Sequence, residues 1–212
     1  MENNNYTYEI MRDLQGFFKP GERKLIYNSC QSLRDKVLIR ILWKSGRRIS
    51  EILKVKVRDI NFENKGIVWH IDKKTKKIDG KKTKYDLVRW KPIDEFTIKL
   101  ILFYIKRMEL QKDDYLFQSP FKNKNHITRQ RAYQIIRKAC EKAGIYYIGN
   151  KKPHPHHFRH TFAIDMAKKL KSPADLRKLQ MFMEHSNLGI TEQYLQFNDL
   201  ELRELLTDEK TE

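Results

Sequence analysis

Between Val55 and Trp90 the chain drops the helical spacing of apolar residues that governs both its flanks, and this interruption constrains the fold more than any other feature. Val55–Phe62 alternates as a strand does, Gly66–Ile71 is β-branched and aromatic, and Tyr85–Trp90 supplies a third run of strand character. A polar, lysine-rich loop carrying Asp79-Gly80 joins the second run to the third, so the expectation is a small antiparallel sheet with a long basic hairpin. On the N-terminal side, Lys19-Pro20-Gly21-Glu22 marks a turn and Glu22–Ser32 reads as helix. Val37, Leu38, Ile41 and Leu42 then recur at helical spacing up to Lys44-Ser45-Gly46, and Ser50–Lys54 reads as a short helix. On the C-terminal side, helices are expected over Ile93–Leu110, Thr128–Ala143 (closed by Gly144), His156–Leu170 and Ala174–Met183, and around Thr191 and Leu200. The stripe Ile98, Ile101, Leu102 and Ile105 is core. The pattern predicts one mixed domain, mainly α with a small antiparallel β-sheet (α+β), over residues 18–206. It is preceded by a flexible lead (1–17) and followed by an acidic tail (207–212).

A chain of 212 residues with 40% hydrophobic and 11% aromatic side chains can bury one sizeable core. No apolar run approaches the roughly 20 residues that span a bilayer, and the polar N-terminus is no signal peptide. Cys30 and Cys140 are far apart and without CxxC spacing, which suits a reducing, cytoplasmic interior. Charge gives the first functional direction. Lys+Arg 44 against Asp+Glu 27 leaves +17, and a polyanion is the expected partner of such a surface. The excess is also sorted along the chain. Lys65–Lys91 carries ten Lys/Arg and three Asp/Glu, whereas Asn198–Glu212 carries six Asp/Glu and two Lys/Arg.

Four local motifs follow one another: Ser45-Gly46-Arg47-Arg48-Ile49-Ser50-Glu51; the lysine hairpin beginning Lys73-Lys74-Thr75; Pro155-His156-His157-Phe158-Arg159-His160-Thr161-Phe162-Ala163; and Glu184-His185-Ser186-Asn187 followed by Gln193-Tyr194-Leu195. In order and content they resemble the catalytic domain of the tyrosine recombinases, the phage integrase family. The family's boxes read roughly T-G-L-R-[IV]-S-E, H-D-L-R-H-T-F-A and G-H-S, with a tyrosine nine residues after the last histidine, as Tyr194 follows His185. The resemblance covers about Phe17–Leu206. It implies the tyrosine-recombinase catalytic-domain fold and a site of Arg48, Lys74, His156, Arg159, His185 and Tyr194. The departures are Ser45 for threonine, Arg47 and Glu184 for an apolar residue and a glycine, and His157 and Phe158 in the second box. The adjacent arginines leave two candidates, and the following Ile-Ser-Glu favours Arg48.

The chemistry supports that set. Cutting a phosphodiester through a covalent intermediate needs a nucleophile, cations around the nonbridging oxygens and a proton donor for the leaving alkoxide. A tyrosine hydroxyl both attacks and leaves again. Arg48 and Arg159 can grip a phosphate with planar donors that stay charged. His156, three residues before Arg159, shares its helix face, and His185 would donate a hydrogen bond to the same phosphate. The resemblance calls for a hairpin lysine that protonates the 5′-oxygen. Lys74 is the first choice, with Lys76 and Lys82 as rivals, and Lys76, Lys77, Lys81, Lys82 and Lys84 are expected on DNA.

The cluster His154, His156, His157 and His160 invites a metal reading, since His156 and His160 stand at i, i+4. The glutamate of H-E-x-x-H is missing, however, and a cationic Arg159 would sit beside the ion. No metal and no cofactor are expected. The implied function is site-specific recombination of double-stranded DNA, by integration, excision, inversion or resolution, through a 3′-phosphotyrosyl link. Alternatives are a type IB-like topoisomerase and a DNA-binding protein that has lost strand exchange. The resemblance implies tetramers in synapsis, with the segment Asp199–Leu206 reaching a neighbour or docking on its own domain. Family members carry a helical DNA-binding domain ahead of the catalytic one, and the lead is too short to hold it. The chain is therefore read as a catalytic-domain-only recombinase or a piece of a longer one, with accessory DNA-binding proteins among its partners.

Overall fold

The computed structural model describes residues 16–78, 81–120, 125–170 and 172–183, the side chains of 72–78, 81–87, 173 and 176 excepted. Helices α1 (Glu22–Ser29), α2 (Leu33–Ser45) and α3 (Ile49–Leu53) lead to a 3-10 turn (Val57–Asp59) and to strands β1 (Ile60–Asn61), β2 (Gly66–Ile78) and β3 (Lys81–Pro92). Helices α4 (Glu95–Arg107), α5 (Arg129–Lys142), α6 (Pro155–Ala167) and α7 (Pro173–Met183) follow. The fold is mainly helical with a three-stranded antiparallel sheet in the order β1-β2-β3, as the apolar spacing predicts. None of the described helices is long and apolar enough to cross a membrane.

Helix α2 is the centre of the domain. Ser32 caps it by accepting from the Asp35 amide, and Val37, Leu38, Ile39, Ile41 and Leu42 are all buried. Burial extends around most of its circumference because α1, α4 and α6 all pack on it. Each such side chain contributes about 1.5–3 kcal/mol on leaving water. Ser32, expected at the end of the first helix, instead begins the second, and α1 stops at Ser29, with Cys30 extended. A second cluster joins Phe17, Phe162, Ala163, Ile164, Ala167, Leu179 and Met183, fastening α7 to α6. Gly16 and Phe17 are both buried, so the packed domain includes at least the last two residues of the lead set off in the sequence.

The expected strand over Val55–Phe62 is not one strand. Its alternation is real, but the backbone is used elsewhere. Asp59 caps the 3-10 turn by accepting from the Lys56 amide. Val57 and Arg58 donate to the carbonyls of Asp114 and Lys112, and Leu116 donates back to Val55. Only Ile60 and Asn61 remain to pair with Ile67 and Gly66. The hairpin differs in the opposite sense. Strands β2 and β3 continue through the lysine-rich stretch that reads as a loop, pairing as far as Ile78 with Lys81. The ladder slips between Ile71 and Lys74: Ile71 faces Leu87 and Lys74 faces Tyr85, so two residues oppose one in a β-bulge. Positions in phase with Trp69 and Ile71 beyond the slip are therefore 74, 76 and 78. The helices expected around Thr191 and Leu200 and the acidic tail lie outside the described residues.

Candidate active site

Gly46 closes α2 in the left-handed region at φ +61°. A Cβ there would stand 2.4 Å from Cδ1 of Phe162, so glycine is required by backbone conformation and by the approach of α6 alike. This turn throws Arg47 and Arg48 in different directions. Arg47 is 2% exposed. It donates to the Phe182 carbonyl at 2.6 Å, lies 3.7 Å from the Glu51 carboxylate, and its guanidinium faces the rings of Trp69 and Phe182. Arg48, the N-cap of α3, keeps 38% of its side chain exposed and donates to Glu51 at 2.9 Å. Glu51 also accepts from the Arg48 amide and is fully buried, so one carboxylate orients both arginines. Glu51 carries no role in the motif as such; its i+3 and i+4 spacing from the two arginines at a helix start is the sequence signal that points to it.

Arg159 comes from α6 and is buried. It donates to the Gly46 carbonyl at 2.7 Å and to the Met183 carbonyl, which ties the first arginine box to the end of α7. His156 opens the same helix one turn earlier. Desolvation lowers its pKa, and the guanidiniums of Arg159 and then Arg48 lower it further, so the imidazole is neutral at physiological pH. Arg48, His156 and Arg159 thus come together from two chain segments more than a hundred residues apart.

The other histidines form the packing beneath. His154 caps α6 by accepting from the His156 amide, while His157, 2% exposed, accepts at Nδ1 from the His154 amide. Thr161 donates to the His157 carbonyl and accepts from the Phe18 amide, fixing the backbone at Phe18 to α6. Burial pushes His157 down to about 3 and His154 and His160 down to about 4, with neighbouring cations adding to the effect. Among the described residues no three His, Cys, Asp or Glu side chains are grouped so as to hold a metal ion.

A folded-state pKa below the unfolded value near 6.5 means that the native protein binds fewer protons. The stability involved is therefore complete above about pH 6.5 and is lost as pH falls towards 4. For His157 alone the loss at pH 5 is about 2 kcal/mol. The urea midpoint should accordingly drop between pH 8 and pH 5, and drop less in His157→Gln. Equal midpoints at the two pH values in the unmodified protein would contradict this account.

Lys74 lies on β2 opposite Tyr85, Lys76 opposite Thr83, Lys77 opposite Lys82, Lys84 opposite Thr75 and Lys81 opposite Ile78. His185 and Tyr194 lie outside the described residues, beginning two residues beyond Met183. The structure therefore assembles three of the six expected site residues and places the backbone of a fourth.

The phage integrase family matches residues 17–201. The chain is 29% identical over 206 residues to tyrosine recombinase XerA of Pyrococcus horikoshii, covering 95% of this chain and 64% of that protein. It is 31% identical over 194 residues to a tyrosine recombinase of Pseudothermotoga lettingae, covering 91% and 60%. It thus spans about three fifths of the length of these curated relatives. Among solved structures, XerA recombinase aligns with TM-score 0.69 at 25% identity over 92% of this chain and 65% of that one. The post-cleavage complex of XerH site-specific recombinase with palindromic difH aligns with TM-score 0.71 at 23% identity, over 93% of this chain and 54% of that one, and bears on the fold alone. With the arginine boxes joined across α2, α6 and α7, and with a family match running over most of its length, the chain belongs to the phage integrase family.

Proposed function

We propose that this chain is the catalytic domain of a site-specific DNA recombinase that cuts and rejoins double-stranded DNA through Tyr194. The observation that carries the reading is the convergence of Arg48, His156 and Arg159, two fixed guanidiniums around a neutral imidazole. Such a group suits a phosphodiester, whose nonbridging oxygens gain charge as the phosphorus becomes five-coordinate. The Tyr194 oxygen attacks phosphorus, the bond to the 5′-oxygen breaks, the tyrosine loses its proton and the 5′-oxygen gains one. Arg48 and Arg159 hold the phosphate, with His156 and His185 donating to it. A partner strand's 5′-hydroxyl reverses the step, so the phosphotyrosyl bond carries the energy of religation. Lys74 supplies the proton to the 5′-oxygen, in keeping with its place in phase with Trp69 and Ile71 on β2.

Strands β2 and β3 set Lys77 directly against Lys82, a like-charge pair that weakens a free hairpin and favours one lying along phosphates. If Lys76, Lys77, Lys81, Lys82 and Lys84 each neutralise one phosphate, DNA affinity falls about 10²- to 10³-fold between roughly 50 and 200 mM salt. Filter binding over that range checks the figure, and a flat response would contradict it. An apolar groove of about 380 Å³ lined by Phe162, Met166, Leu170, Leu179 and Phe182 is suited to the leucine-bearing segment Asp199–Leu206 of a neighbouring copy, which fits assembly into a tetramer on DNA. The setting is the DNA-containing cytoplasm.

The test is incubation with nicked DNA carrying candidate sites, followed by a denaturing gel. A covalent protein–DNA adduct is expected, and Tyr194→Phe should abolish it. An adduct that survives this substitution would rule Tyr194 out. Recombinant joints, as opposed to relaxed circles alone, distinguish recombination from topoisomerase action.

A further inference from the structure

Two arginines meet backbone carbonyls on the last described turn of helix α7. Here two successive carbonyls, those of Phe182 and Met183, each receive a guanidinium, Arg47 on the first at 2.6 Å and Arg159 on the second. The Phe182 ring is gripped as well. It stacks on Phe162 of α6 and faces the cations of Arg47 and of Lys91 from β3. Arg47 in turn meets Trp69 of β2 and the buried Glu51 of α3. The side chain thus reaches the sheet, the first arginine box and the end of α7, one residue before the chain runs on towards His185.

A buried guanidinium is a poor choice for packing, because its desolvation offsets much of what its partners return. An apolar residue, the type that this box resembles at position 47, would fill the space between Trp69 and Phe182 more cheaply. What an arginine adds is direction, with planar donors of fixed geometry that an apolar side chain lacks. We infer that Arg47 is a positioning residue for DNA cleavage: through the Phe182 carbonyl it fixes the end of α7, and with it the starting point of the segment bearing His185 and Tyr194. Arg48 and Arg159 serve the phosphate, while Arg47 serves the approach of the nucleophile. The inference rests on the recombinase reading proposed above.

The experiment uses the full chain with nicked DNA and compares the unmodified protein with Arg47→Met and Arg47→Lys. Three quantities are read for each: thermal unfolding, DNA affinity, and the single-turnover rate of adduct formation at saturating protein. Displacement of a nucleophile by even about 1 Å costs up to about 100-fold in rate. Arg47→Met should therefore cut adduct formation by at least about tenfold, with DNA affinity held within about twofold, and Arg47→Lys should recover part of the rate. A rate within about twofold of the unmodified protein would overturn the inference, as would parallel losses of rate and affinity in both variants. Should Arg47→Met fail to fold, Arg47→Lys decides by the same comparison of rate with affinity. Absence of any adduct with the unmodified protein would instead overturn the recombinase reading itself.

Discussion

Replacing Arg159 with alanine is expected to slow DNA cleavage about 10²- to 10³-fold, the usual consequence of removing one fixed donor from a site where charge develops. The guanidinium is already oriented before DNA arrives, held by the carbonyls of Gly46 and Met183, so little reorganisation accompanies the reaction. The same bonds make alanine a blunt probe. Two carbonyls lose their donor, and an unsatisfied buried polar group costs about 1–3 kcal/mol. Arg159→Lys separates the two effects. It keeps the charge, but a single ammonium cannot serve two carbonyls and a phosphate in one plane. Its cleavage rate should stay well below that of the unmodified protein while its thermal unfolding temperature recovers relative to alanine. Single-turnover adduct formation measured beside thermal unfolding checks both, and a lysine variant cleaving at the unmodified rate would remove Arg159 from the site.

The second large effect belongs to Glu51. It is fully buried, contacts both Arg47 and Arg48, and accepts from the Arg48 amide. Glu51→Ala leaves Arg47 buried beside an empty space, and breaking a buried pair in this way costs about 3–5 kcal/mol. In a domain of this size that lowers the unfolding temperature by roughly 10 °C or more. Glu51→Gln keeps an oxygen for the amide while losing the charge, so its loss should be smaller. Arg48 becomes freer to swing in both variants, and cleavage should fall more than stability predicts. Melting curves for the pair decide, and an alanine variant melting within about 2 °C of the unmodified protein would refute the assigned role.

The arginine and histidine boxes were legible because their residues and local spacing resemble the family's boxes in the same order. Helix existence was legible for the same local reasons, with ends displaced by capping at Ser32 and Asp94. What sequence could not supply was long-range. Nothing in Val55–Phe62 announces that Val57 and Arg58 bond to Asp114 and Lys112. Nothing in Arg47-Arg48 announces that Trp69 and Phe182 will enclose the first of them. The lysine run read as a loop because lysine has low strand propensity, whereas the ladder is sustained by cross-strand pairing. The positions of His185 and Tyr194 were read from spacing alone.

The slip between Ile71 and Lys74 gives the hairpin a parity. Side chains alternate along a strand, so an unbroken ladder through the same residues would bring 73, 75 and 77 into phase with Trp69 and Ile71 in place of 74, 76 and 78. Deleting one of the two bulged residues would straighten the ladder and leave 74, 76 and 78 in phase, so it is the bulge that selects this set of positions. Growth or shrinkage of the hairpin beyond 78 and 81 leaves that selection unchanged, so the far end of the hairpin can vary in length without disturbing the positions next to the core.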